Sequence, residues 1–156
     1  MEIWMKERKL FKLFFDGASK GNPGIAGGGG GVMSHEGNNE YEYYWNIGKD
    51  TNNMAEAYGL WQGLKQLENL GVKEAIVIGD SRLIIQAMNG KIQRTNSRLS
   101  VLIKRIQSIS RTFRHLEFFH ILREVNAKAD QATNKAINLQ INELYVNHHS
   151  FKDIPP

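Results

Sequence analysis

The sequence predicts an α/β domain: a mixed five-stranded sheet, made of an antiparallel meander plus two parallel strands, flanked by helices. Two observations predict it. Three segments with strand patterning are joined by short links, which favours antiparallel neighbours, and the later strands alternate with segments of helical period, which favours parallel joining. The chain has 156 residues, 41% of them hydrophobic, the size and composition of one domain around one core.

Leu10 to Phe15 is a short apolar run ending at Asp16 and reads as a buried strand. Gly17 to Gly24 holds Gly, Ser, Asn and Pro and reads as a turn. Gly27 to Ser34 reads as a second strand. Its five consecutive glycines, Gly27 to Gly31, weaken strand propensity and point to close backbone approach by something. Tyr41, Tyr43, Trp45 and Ile47 alternate with Glu42, Tyr44 and Asn46, the pattern of a third strand with one buried face. From Asn53 to about Leu70, the residues Ala57, Leu60, Trp61, Leu64 and Leu67 follow helical spacing. Gly59 and Gly63 interrupt it at a cost of roughly 1 kcal/mol each against Ala, which suggests tight packing. Gly71 ends the helix. Ala75 to Gly79 is a fourth, fully apolar strand running into Asp80, followed by a short helix from Ser81 to Met88 closed by Asn89-Gly90. Ser97 to Ser110 is an amphipathic helix, His115 to Leu122 a fifth strand, and Ala127 to Leu139 a last helix. The domain is expected over residues 9–139, with an N-terminal extension at 1–8 and a C-terminal tail at 140–156.

With no Cys, disulfide and thiolate chemistry are excluded, and a metal must bind through oxygen or imidazole, which favours hard cations such as magnesium or manganese. No apolar run approaches the ~20 residues needed to cross a bilayer, and Met1 to Lys9 is charged with no apolar signal core. A soluble, intracellular protein with no membrane association is expected. The formal net charge is +4. Its distribution says more: from Lys91 to Arg123 eight Lys or Arg face a single acid, Glu117, a local balance of +7. Such a segment suits a polyphosphate partner, and equally a solvated helix face bearing Arg98, Lys104 and Arg105.

Four acids fall at informative places. Asp16 and Asp80 end buried strands, and ligands of open sheets with parallel strands bind beyond the carboxyl ends of those strands. Glu56 and Asp130 each open a predicted helix. Clustered carboxylates repel one another unless cations lie between them, and hard divalent ions with phosphate oxygens answer that need. Each acid also has a plainer reading. Glu56 follows Asn53 by three, as in a capping box. Asp130 follows a candidate Asn126 cap, Asp80 can cap the next helix, and Asp16 can serve a turn.

Asp16-Gly17-Ala18-Ser19-Lys20-Gly21-Asn22-Pro23-Gly24 resembles the opening motif of the type 1 ribonuclease H family. Thr51-Asn52-Asn53-Met54-Ala55-Glu56 resembles its second motif and Asp80-Ser81 its third. Arg123-Glu124-Val125-Asn126-Ala127-Lys128-Ala129-Asp130 resembles the fourth, in the form found in plant-type and retroelement-like members. The matches run in family order over about residues 9 to 139. The resemblance implies a ribonuclease H-like fold and hydrolysis of the RNA strand of RNA/DNA hybrids to 5′-phosphate and 3′-hydroxyl ends. It implies two Mg2+ ions, replaceable by Mn2+, held by Asp16, Glu56, Asp80 and Asp130. It further implies substrate contacts by Asn22, Asn52, Asn53, Thr51 and Arg123, with Thr51 at a DNA phosphate. Amides suit the 2′-hydroxyl and base edges that mark RNA, while Asn53 also reads as a helix cap. No protein partner is deducible, and a monomer is expected.

The chain departs from some members of that family. The segment from Arg123 to Ala129 carries no His, and no basic protrusion precedes the Ser97 helix. Gln131-Ala132-Thr133 stands where Leu and Ala are more usual. Three alternatives stay open: a hybrid-binding module that does not cut, another nuclease or transposase on the same fold, and a nuclease domain cut from a retroelement reverse transcriptase.

Overall fold

The computed structural model describes residues 11–34, 40–91, 96–126, 133, 135, 136 and 139–147. Its elements are β1 (Phe11–Lys20), β2 (Gly24–Met33), β3 (Glu40–Asp50), α1 (Asn52–Asn69), β4 (Glu74–Gly79), α2 (Arg82–Met88), α3 (Ser97–Ser110), β5 (His115–His120), a 3-10 turn (Arg123–Val125) and β6 (Leu144–Asn147). The sheet order is β5-β4-β1-β2-β3-β6. The β1/β2, β2/β3 and β3/β6 pairs are antiparallel, and β1/β4 and β4/β5 are parallel. The predicted meander and parallel pair are both present.

A sixth strand joins the five expected. Residues 144–147, in the stretch expected as a tail, pair with Trp45 to Glu42 of β3, and Tyr145 stacks on Tyr44 with ring centroids 4.6 Å apart. Four residues are too few for a period to register, so only the partner strand reveals them. Of the predicted last helix, Thr133, Lys135 and Ala136 are helical; most of it, and residues 1–10, lie outside the described residues.

β1 also differs from expectation. It does not stop at Asp16 but runs on to Lys20, because Gly17 to Lys20 pair with Gly28 to Ile25 of β2. The turn shrinks to residues 21–23. Glycine lets α1 lie close over this hairpin: a Cβ on Gly17 or Gly28 would fall within 3 Å of α1 backbone atoms.

Leu13, Phe15, Tyr41, Tyr43, Leu60, Leu64 and Leu67 form the centre of the core between sheet and α1. Tyr43 donates its hydroxyl to the Gly59 carbonyl at 2.7 Å, which ties β3 to α1 and satisfies a buried polar group. The caps explain the helix boundaries. Thr51 Oγ1 accepts from Met54 N at 3.2 Å, Ser81 Oγ from Ile84 N at 3.4 Å and Asn96 Oδ1 from Leu99 N at 2.8 Å. Gly71, at φ +75°, ends α1 in the left-handed region. No described helix is long and apolar enough to cross a membrane.

Candidate active site

The last parallel pair of β1 and β4 is Phe15 with Gly79. The next residues are Asp16 and Asp80. The two carboxylates therefore lie side by side where the parallel pairing ends, although β1 itself continues. Asp16 is buried and accepts from Gly17 N at 2.9 Å.

Glu56 arrives from α1. Its delivery depends on glycine: a Cβ on Gly17 would lie 2.1 Å from the Ala55 carbonyl carbon and 2.3 Å from Glu56 N. A Cβ on Gly59 would lie 2.3 Å from the Asp16 carbonyl oxygen, and one on Gly28 would lie 2.8 Å from Gly59 N. The helix thus rests on β1 and β2 backbone to backbone, the close approach that the glycine runs pointed to. Ligand oxygens of Asp16, Glu56 and Asp80 come within 4.8 Å of one another. Asp130 lies outside the described residues.

The capping explanations for two of these acids fail. Thr51, not Asn53, caps α1, so Glu56 falls beyond the first turn and is no capping-box residue. Ser81, not Asp80, caps α2. Glu56 Oε2 and Asp80 Oδ2 are buried with no hydrogen-bond partner. An unpaired buried carboxylate oxygen costs about 1–3 kcal/mol or more, and a divalent cation is the group that would satisfy both. The donor set is all oxygen, so it fits a hard divalent metal.

Burial pushes the Glu56 carboxyl well above its ordinary value of 4.5, and the charge of Asp16, a hydrogen bond to Asp16 and the charge of Asp80 add to the rise, while Arg123 opposes it. Folded Glu56 therefore holds a proton at pH values where the unfolded chain has released it. Stability of the metal-free protein consequently falls as pH rises above about 4.5, the ordinary value. Glu56→Gln is expected to stabilise the metal-free protein at pH 7 by about 1–3 kcal/mol, to give no gain near pH 4, and to lose the metal response. Urea unfolding in chelator at both pH values checks this; equal effects at the two pH values would contradict it.

Two neighbours of the site make contacts that the sequence does not announce. Asn126 Nδ2 donates to the Phe15 carbonyl at 2.9 Å, which holds the turn carrying Arg123 against the strand that bears Asp16. His120, at the end of β5, has Nε2 3.1 Å from the Asp80 carbonyl oxygen. The β4/β5 register of Gly79 with His120 is the cause, and no local pattern announces it.

Four of the predicted substrate residues, Asn22, Thr51, Asn52 and Asn53, lie where the β1–β2 turn meets the start of α1. Asn22 Oδ1 accepts from Asn52 N at 3.1 Å, and Asn52 Oδ1 accepts from Ser19 N at 2.8 Å. This links the β1–β2 turn to the start of α1. Asn22, Asn52 and Asn53 are exposed or nearly so at the rim. Asn22 and Asn52 thus each spend one oxygen lone pair on backbone and keep their amide N–H groups and a second lone pair for other partners. Thr51 Oγ1 is used as the cap acceptor, which leaves its hydroxyl proton to donate. Arg123 is exposed on the 3-10 turn. The basic face of α3 is present, with Arg98, Lys104 and Arg105 exposed, but Arg98 is bound to buried Asp50 by two hydrogen bonds of 2.9 and 3.3 Å.

Comparison with known proteins agrees with this geometry. A family model described as reverse transcriptase-like matches residues 14–136. The bifunctional protein Rv2228c of Mycobacterium tuberculosis is 36% identical over 124 residues, which are 79% of this chain and 34% of that protein, so the chain spans about a third of that relative's length. The crystal structure of RNase H1 from the halophilic archaeon Halobacterium salinarum superposes with a TM-score of 0.79 at 30% identity, covering 82% of this chain and 97% of that one. LC11-RNase H1, solved in complex with an RNA/DNA hybrid, superposes with a TM-score of 0.77 at 34% identity, covering 82% and 96%. In sequence and in fold alike, this chain belongs to the type 1 ribonuclease H family.

Proposed function

We propose that this domain is a metal-dependent endoribonuclease that hydrolyses the RNA strand of RNA/DNA hybrids, leaving 5′-phosphate and 3′-hydroxyl ends. The observation that carries the reading is the convergence of Asp16, Glu56 and Asp80 within 4.8 Å, with the buried oxygens of Glu56 and Asp80 unpaired, beside a rim of exposed amide side chains. The relative solved with an RNA/DNA hybrid supports the substrate. Asp16, Glu56 and Asp80 would hold two Mg2+ ions, for which Mn2+ would substitute, with Asp130, which the family motif adds, as the fourth ligand. When bound, such ions lower the pKa of water and stabilise a leaving oxygen.

The chain's own residues do the rest. Gly17 N–H fixes the rotamer of Asp16. The glycine contact between α1 and β1 holds Glu56 in register with it. Arg123 offsets part of the negative charge around Glu56 and reaches the substrate from its exposed turn. Asn22, Asn52 and Asn53 donate to sugar and base-edge acceptors, and Thr51 donates to a phosphate. The domain acts as a monomer in an intracellular setting.

The test is a labelled RNA/DNA hybrid and an all-DNA duplex, each incubated with Mg2+, with Mn2+ and with chelator. Cutting of the hybrid alone, lost on chelation and restored by either ion, is the expected outcome. Activity that survives exhaustive chelation would refute the metal requirement. Equal cutting of the DNA duplex would favour a transposase-like nuclease, and hybrid binding without cutting a binding module.

A further inference from the structure

A groove of 660 Å³ opens between β3, α1 and α3, and none of the three carboxylates lines it. Its aromatic wall is one cluster. Trp45 meets Tyr58 edge-on at 5.4 Å between ring centroids, and Trp61 lies 6.0 Å from Tyr58 and 6.1 Å from Trp45. All three rings are half-buried, so each keeps part of its surface open to solvent. The Trp61 indole Nε1 is buried with no hydrogen-bond partner, and the Lys65 ammonium lies 4.7 Å from the Trp61 ring centroid, which adds a further cation beside the cluster.

The charge around the cluster has one sign. Lys49, Arg98 and Arg105 line the groove and are exposed. The single carboxylate in the lining, Asp50, is taken up by Arg98 at 2.9 Å. Lys49 and Arg105 have no acid partner among the described residues. An aromatic cluster that merely packed a helix on a sheet would need neither an open side nor unpaired cations. Aromatic platforms beside basic side chains are how proteins hold single strands, with bases stacked on the rings and phosphates on the cations.

We propose that this groove binds unpaired nucleotides of single-stranded DNA, with bases against Trp45, Tyr58 and Trp61 and phosphates on Lys49 and Arg105. The volume is that of a site for a small ligand, enough for one or two nucleotides. The walls carry apolar Ile47, Val101 and Leu102 beside polar Ser97 and Asn142, and DNA rather than RNA is assigned because the groove adjoins Thr51, the residue read as the DNA-phosphate contact. Asp50 and Met54 line the groove on either side of Thr51 in the chain. A single-stranded extension of the DNA strand, leaving a hybrid bound at Thr51, would enter here. The groove goes beyond hybrid cleavage and rests on that reading only for the source of the strand.

The test titrates the full chain, in chelator, with oligodeoxythymidine of about eight nucleotides while tryptophan fluorescence is followed. Quenching is expected. Val101 is 52% exposed, so Val101→Glu keeps the fold, checked by circular dichroism, and sets a negative charge on the groove wall; it should weaken binding about tenfold. Arg105→Gln, a second surface change, should weaken it severalfold and flatten its salt dependence. In parallel, a hybrid with a DNA overhang should bind the parent about tenfold tighter than a blunt hybrid, and Val101→Glu should remove that gain while leaving blunt-hybrid cleavage unchanged. Absence of quenching, or binding unaffected by both variants, would overturn the proposal. An oligoribonucleotide bound as tightly as the DNA would overturn the assignment to DNA. The fluorescence arm needs no metal and no cutting, so it stands or falls apart from the nuclease reading.

Discussion

Asp80→Asn is expected to lose hybrid cleavage by at least about a hundredfold and to leave hybrid binding intact. The substitution removes one negative charge from a cluster whose ligand oxygens lie within 4.8 Å of one another. Loss of groups that only support metal ligands costs about 10–100-fold, so loss of a direct ligand should cost more, at least about a hundredfold in rate. The fold should survive for two reasons. Ser81, not Asp80, caps α2, and the contact with His120 involves the Asp80 carbonyl oxygen rather than its side chain. Hybrid affinity should come from amides and cations elsewhere, and one charge fewer reduces repulsion of the phosphates. A paired gel-shift and cleavage assay, with far-UV circular dichroism, decides the matter. A folded variant that cuts at the parent rate would remove Asp80 from the ligand set.

Gly17→Ala is expected to cost about 3 kcal/mol or more, at the upper end of what overpacking costs. The added carbon would stand 2.1 Å from the Ala55 carbonyl carbon and 2.2 Å from its oxygen. Backbone cannot rotate aside as a side chain can, so α1 must lift off β1. Lifting it separates Glu56 from Asp16, and cleavage should fall even where the variant is still folded. Gly71 provides the contrast. It has φ +75°, and a Cβ there would meet no atom within 4 Å, so Gly71→Ala should cost only about 1–2 kcal/mol of left-handed strain and leave cleavage unchanged. Urea unfolding of both variants separates packing from conformational strain. Equal costs would mean that helix and strand are not in backbone contact.

Part of this site is legible in the amino-acid sequence. Alternation in Tyr41, Tyr43 and Trp45, the helical stripe of Leu60, Leu64 and Leu67, and the apolar run into Asp80 each report burial within one element. Gly28 and Gly59 announce a close approach without naming the partner, and in the fold Gly28 faces the backbone of Gly59. The motif residues Asp16, Glu56 and Asp80 are visible by type and order.

Other features depend on where a distant partner lies. β1 passes Asp16 because β2 is there to pair with it, so the strand end that marks the site belongs to the β1/β4 ladder and not to β1. Asn53 and Thr51 are both good caps by composition, and the approach of the chain from β3 selects Thr51. The pairing of Arg98 with Asp50 spans 48 residues, that of Asn126 with Phe15 spans 111, and β6 is too short to have a period of its own. Element types, their order and the acids that the site requires follow from the chain alone, because periodicity and motif spacing are properties of contiguous residues. The caps, the sixth strand, the neighbours that hold Asp16 and Asp80 and the aromatic groove are set only on folding, because each arises from a contact between segments that no local pattern connects.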